Sequence, residues 1–104
     1  MPRSYRVIVS PRAFAHLDEI LTYIGGSSPA NAAKTIDRLW EAMKGLDTFP
    51  RRFRIVRGKR RPSTAVRSMP VWPYIVYYRI VEAQAVVRVV GVRHGARQRP
   101  RRFD

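Results

Sequence analysis

The sequence predicts an α+β fold of order β-α-α-β-β-β, in which a helix hairpin packs on a small, mostly antiparallel sheet. Three observations predict it. Two successive stretches repeat their apolar residues at helical spacing, and each opens on a Ser-Pro pair. Two β-rich runs, "YIVYYRIV" and "AVVRVVGV", stand three residues apart. A short alternating run, "SYRVIVS", precedes both helices. A chain of 104 residues fits one domain with one modest core, read here as residues 1–104 with a basic tail from about residue 98.

In the first run, Tyr5, Val7 and Val9 fall on one face of a short strand. Ser10-Pro11 then supplies an N-cap and a proline at the first helical position, where its missing N–H costs nothing. Phe14, Leu17, Leu21 and Ile24 follow at helical spacing, with Ala13 and Ile20 beside them, so a helix runs from about Pro11 to Ile24. Gly25-Gly26 ends it. Ser28-Pro29 repeats the start signal, and Ala32, Ala33, Ile36, Leu39, Trp40, Met43 and Leu46 mark the second helix. The connection is so short that the two helices are expected to lie antiparallel. The aromatic residues of these stripes read as core.

The stretch "RRFRIVRGKRRPSTAVR" is basic, broken by Gly58 and Pro62, and without a period. It reads as a loop with a short strand near Thr64–Met69. The two β-rich runs pair as an antiparallel hairpin through "EAQ", with pairing that starts after Pro73 because proline lacks the N–H a ladder needs. On simple alternation, Val87, Val89 and Gly91 share one face of the last strand, and Arg88, Val90 and Val92 the other. The first strand is expected to join the sheet beside a strand of the C-terminal half, since a lone strand leaves its backbone groups unpaired.

Charge is unevenly distributed. Residues 1–50 carry six Lys/Arg against five Asp/Glu, and residues 51–104 carry fifteen against two, so nearly all of the +14 sits in the second half. Such a skew points to a polyanionic or acidic partner, nucleic acid through phosphate contacts or an acidic protein segment. Frequent arginine usage is the bland alternative. Both predicted helices lie in the near-neutral half, which argues against a helix-turn-helix reader, and the sheet aromatics lack the spacing of RNA-stacking domains. There is no cysteine, hence no disulfide, thiol nucleophile or zinc–thiolate cluster, in keeping with a cytoplasmic protein. The longest apolar runs are too short to span a bilayer, the N-terminal segment does not read as a secretory signal, and no membrane association is expected.

The chemistry concentrates where the last strand ends in "VRHGAR". Arg93 and His94 are expected to leave the sheet on opposite sides, Gly95 to permit a sharp turn, and Arg97 to fold back beside His94. Arg67, just before the third strand, is expected to reach the same edge. Two readings stand. In one, Arg67, His94 and Arg97 bind a phosphate or acidic group, or His94 serves as general acid or base in RNA cleavage. In the other, His94 bonds a backbone carbonyl and holds the turn. His16, on the first helix, reads as a solvated surface residue. Paired-carboxylate catalysis is excluded in the basic half, which holds only Glu82 and Asp104, and two separated histidines make a poor metal site, so no metal or cofactor is expected.

The segment "SPRAFAHLDEILTYIGGSSPANAAKTIDRLWEAMKGLDTFP", with its "YI…SP..A…I..L…L..FP" pattern, resembles the helix hairpin of ParE-like proteins. "VRSMPVWPYIVYYRIVEAQAVVRVVGVRHGARQ" resembles their C-terminal sheet. The resemblance runs from about Tyr5 to Arg97 and is to the RelE/ParE superfamily, the toxins of bacterial type II toxin–antitoxin pairs. It implies one of two activities. RelE-like members are ribosome-dependent endoribonucleases that cut mRNA with basic residues and often a C-terminal tyrosine or histidine. ParE-like members act on DNA gyrase and block replication. Arg67 matches the arginine before the third strand, Arg97 the arginine after the last strand, and His94 the ParE-like "HgaR" ending. No tyrosine follows Val92, and Lys59 is the only lysine after Lys44; both departures favour the gyrase-directed reading. The resemblance thus implies a target-binding edge of Arg67, Arg93, His94 and Arg97. It also implies an acidic, amphipathic antitoxin lying along the hairpin, at Leu17, Leu21, Leu39 and Met43, and along an exposed sheet edge.

Overall fold

A computed structural model describes residues 4–58 and 64–96. The short first strand, β1 (Arg6–Val9), feeds directly into helix α1 (Pro11–Gly25). The buried Ser10 side chain accepts from the Ala13 N–H at 3.1 Å, and Pro11 occupies the first turn. Ser28 does the same for α2 (Pro29–Lys44), accepting from the Asn31 N–H at 3.2 Å. Caps of this kind stabilise a helix by about 1 kcal/mol each. The sequence signals therefore place both helix starts correctly.

Beyond α2 the chain forms four strands, β2 (Ile55–Arg57), β3 (Val66–Val71), β4 (Tyr74–Val81) and β5 (Val86–His94). They join β1 in one sheet of order β1-β5-β4-β3-β2. Only the β1–β5 pair is parallel, with Val7 opposite Val87 and Val9 opposite Val89. The sheet is thus mostly antiparallel and carries one strand more than the sequence predicts. That strand, β2, lies in the basic stretch read as loop; it has three residues and pairs irregularly with β3, too little for any period to show. Strand β3 also runs two residues further than predicted, through Pro70 to Val71.

The hairpin covers one sheet face. Ala13, Leu17, Ile20, Leu39, Met43 and Leu46 pack against Met69, Tyr74, Val76, Tyr78, Ile80, Val87, Val89 and Val92. A smaller cluster, Val66, Tyr77 and Val90, belongs to the opposite face. The buried side of α1 differs from the predicted stripe. It runs through Ala13, His16, Leu17 and Ile20, whereas Phe14 and Leu21 are exposed, with Phe14 resting against Trp40 at 5.7 Å between ring centres. Rotation by one position is enough to exchange these residues, because neighbouring positions sit about 100° apart on a helix. No helix among the described residues is long and apolar enough to cross a membrane.

Tyr78 shows how the core meets the polar loop after α2. Its ring is fully buried and its hydroxyl donates to the Pro50 carbonyl. Burial pushes the phenol up to about 12, against the opposing pull of the Arg67 and Arg52 guanidiniums. The folded state therefore holds the proton more tightly than the unfolded chain. The resulting stabilisation is complete below pH ~10, the ordinary tyrosine value. It should be lost as pH rises from there towards 12. Tyr5, raised by its hydrogen bond to Glu82, acts in the same direction. Thermal melts between pH 9 and 12 should show the loss, and Tyr78→Phe should flatten it. An unchanged slope in that variant would mean that Tyr78 does not drive it.

Candidate functional site

The arrangement at the end of β5 begins with a bulge. Tyr78 pairs with Val89 but Tyr77 pairs with Gly91, so Val90 is an extra residue. The bulge reverses the alternation beyond it. Val92 joins Val87 and Val89 in the core beneath the helices, and His94, opposite Tyr74, follows on the same face. The simple alternation expected for this strand is corrected here: Val92 does not share a face with Arg88.

β1 stops at Val9, and the Ser10 N–H makes the last bond to β5, at the Val89 carbonyl. Past that point α1 replaces β1 as the neighbour of β5. His16 fills the gap, its Nδ1 accepting from the Val92 N–H at 3.1 Å. His16 is only 6% exposed, which overturns the expectation of a solvated surface residue. Its ring lies over Gly91, where an added Cβ would come within 3.2 Å of Cε1 and 3.3 Å of Nδ1. The sequence shows both residues, but nothing in it shows that one lies on the other.

Between this end of β5 and α1 lies a cleft of about 490 Å³ lined by His16, Glu19, Ile20, Tyr23, Tyr74, Val92, Arg93, His94 and Ala96. The His94 ring stands edge-on to Tyr74, with ring centres 5.5 Å apart. Its Nδ1 accepts from the Ala96 N–H at 3.1 Å, which leaves Nε2 for a ligand or a proton. His94 thus does hold the turn, through a backbone N–H and not the carbonyl expected. Arg93 reaches towards Glu19, its Nη1 3.9 Å from the carboxylate. Gly95 lies in close approach to the Trp72 ring, and a Cβ there would force that exposed side chain to shift. The Gly95 N–H also donates to the Pro73 carbonyl at 2.7 Å, tying the end of β5 to the β3–β4 turn.

Of the predicted site residues, the structure brings Arg93 and His94 together and keeps Arg67 away. Arg67 lies within β3 opposite Tyr78, whereas His94 pairs with Tyr74. Four positions along β4 separate the two levels, about 13 Å at the rise of a strand, with β4 itself between them. The Arg67 guanidinium is committed to the Phe53 carbonyl at 2.7 Å and the Arg51 carbonyl at 3.1 Å. It fastens the loop after α2 to the sheet and does not join the His94 edge. Arg97 lies outside the described residues. Leu17, Leu39 and Met43 are core residues at 5%, 0% and 1% exposure, with no surface to offer a partner; Leu21 alone of that set is exposed.

A second polar cluster sits at the other end of the sheet, where the Tyr5 hydroxyl and the Arg51 guanidinium both donate to Glu82. Its carboxylate accepts from both partners. Among the described residues no three His, Cys, Asp or Glu side chains converge as a metal site. The cleft therefore offers the His94 Nε2 beside the Arg93 guanidinium, the Glu19 carboxylate and aromatic walls, chemistry suited to binding a polar or aromatic group.

Residues 7–99 match the family model described as the ParE toxin of the type II toxin–antitoxin system parDE. The chain is 34% identical over 92 residues to Toxin RelE2 of Caulobacter vibrioides, an alignment covering 88% of this chain and 97% of that protein. Two solved structures share the fold. One is the chromosomal ParDE toxin–antitoxin system of P. aeruginosa, with TM-score 0.66 and 20% identity over 88% of this chain and 97% of that one. The other is the RelBE2 toxin–antitoxin complex of Mycobacterium tuberculosis, with TM-score 0.61 and 21% identity over 90% and 94%. On the family match over residues 7–99 and the 34% identical relative, this chain belongs to the ParE toxin family of type II toxin–antitoxin systems, within the RelE/ParE superfamily.

Proposed function

We propose that this toxin arrests growth by binding DNA gyrase in the cytoplasm, and that a co-encoded acidic antitoxin neutralises it. One observation carries the choice of target: Arg67 is bound to the Phe53 and Arg51 carbonyls, four strand positions from His94. Two other ionisable groups of the cleft are already engaged, His16 Nδ1 by the Val92 N–H and Glu19 by the nearby Arg93 guanidinium, which supports action by contact over RNA cleavage. The net charge of +14 suits an acidic antitoxin. Leu21 on α1 and the cleft at the end of β5 are the surfaces it would meet. A RelE-like, ribosome-dependent nuclease is the second reading, favoured by the name of the 34% identical relative, Toxin RelE2.

Induced expression of the chain alone should stop growth, and co-expression with the product of the adjacent reading frame should restore it. Normal growth at confirmed soluble expression would sink the toxin activity itself, whichever target is correct.

A further inference from the structure

The end of β5 that carries His94 is fastened to the turn beside it. Trp72 and Pro73 form the connection between β3 and β4, and Tyr74 opens β4. Each of these residues touches the end of β5. The Trp72 ring lies against Gly95. The Pro73 carbonyl accepts from the Gly95 N–H at 2.7 Å. The Tyr74 ring meets the His94 ring edge-on. β1 gives no support at this level, since its side of the sheet ends with the Ser10 bond to Val89. The turn is in its turn held from the helix layer. Arg38, on the exposed side of α2, donates from Nη2 to the Trp72 carbonyl at 2.7 Å. A guanidinium stays charged throughout the range in which the protein folds, and a charged donor makes a shorter and stronger hydrogen bond than a neutral one.

We propose that Arg38 is a positioning residue for His94, acting through the Trp72–Tyr74 segment. The helix layer holds the turn, the turn holds Gly95, and Gly95 fixes the place from which the imidazole faces the cleft. Arg38 does not line that cleft, so it works through the backbone and not by touching whatever the cleft binds. In giving the placement of His94 a functional consequence, the proposal rests on the toxin reading above. The placement itself does not, and it has its own measurement.

That measurement is amide hydrogen exchange, followed by NMR on the purified full-length protein. In Arg38→Gln the Gly95 and Ala96 amides should exchange about 2- to 10-fold faster, the worth of one hydrogen bond. The Val87 and Val89 amides, in the middle of the core, should keep their rates. Arg38→Lys keeps a charged donor and should recover most of the protection. Lys34→Gln, one turn earlier on the same face of α2, removes the same charge and should change nothing. In cells, Arg38→Gln should weaken growth arrest at equal soluble expression, and Arg38→Lys should restore it. Unchanged exchange at Gly95 and Ala96 in Arg38→Gln would overturn the proposal. Equal acceleration at Val87 and Val89 would also overturn it, because Arg38 would then stabilise the fold as a whole. Loosened Gly95 and Ala96 amides with undiminished growth arrest would overturn the functional role. A parent chain that does not arrest growth would sink the toxin reading alone, and the exchange rates would still decide whether Arg38 sets the place of His94.

Discussion

Replacing His16 with alanine should cost the fold about 2–4 kcal/mol. An ordinary surface substitution changes stability by less than about 0.5 kcal/mol, so the two roles for this residue are well separated. The cost has two sources. The Val92 N–H loses its acceptor at 3.1 Å in a buried setting, and an orphaned buried donor is worth about 1–3 kcal/mol. The space above Gly91 empties as well, which adds a cavity term. Single domains are stable by only about 5–15 kcal/mol, so the loss should shift the urea midpoint plainly. Amide exchange at Val92 should accelerate with it. His16→Gln, which keeps an acceptor on a flexible chain, should recover part of the loss. A midpoint unmoved in His16→Ala would return this histidine to the solvated surface and remove the reason for glycine at position 91.

His94→Gln should leave the protein toxic, and purified protein should still slow gyrase supercoiling while mRNA in a translating extract stays intact. RNA cleavage needs a base for the 2′-OH proton and an acid for the leaving oxygen, and loss of one such group typically costs ~10²–10⁴ in rate. At the cleft, His94 offers one nitrogen, because its Nδ1 already accepts from the Ala96 N–H. Glutamine keeps an oxygen for that N–H but cannot exchange a proton near neutral pH. A nuclease should therefore be crippled by the substitution, and a protein that acts by contact should tolerate it. Codon-positioned mRNA cuts that disappear in His94→Gln would reverse the choice and make the RelE-like reading the better one.

What could be read from the chain alone follows the range of the interactions involved. Ser10-Pro11 and Ser28-Pro29 mark both helix starts because a cap satisfies N–H groups only two or three residues away. The β4–β5 hairpin was legible for the same reason: its strands are continuous β-branched and aromatic runs joined by three residues. Arg93 and His94 are placed at the end of the last strand by adjacency alone, but that both line one cleft is not legible from alternation, which expects them on opposite sides. Strand β2 escaped because three residues carry no period, and the strand exists only through its pairing with β3. Leu17, Leu39 and Met43 have the chemistry of either a core or a docking stripe; only the sheet packed against them makes them core.

The sequence by itself determined the α+β class, the helix hairpin and the charge divide, because these rest on local patterns and composition, while the family is known through the likeness of long segments to related proteins. The tertiary structure alone decided which residues share the cleft. An unpaired Val90 turns Val92 and His94 towards the helices, early termination of β1 opens a place that His16 fills, and the level of Arg67 on β3 carries it away from His94. Each depends on how residues pair across strands or where one element gives way to another. A one-residue change in register reverses every side chain beyond it, and no local propensity reports which register is adopted.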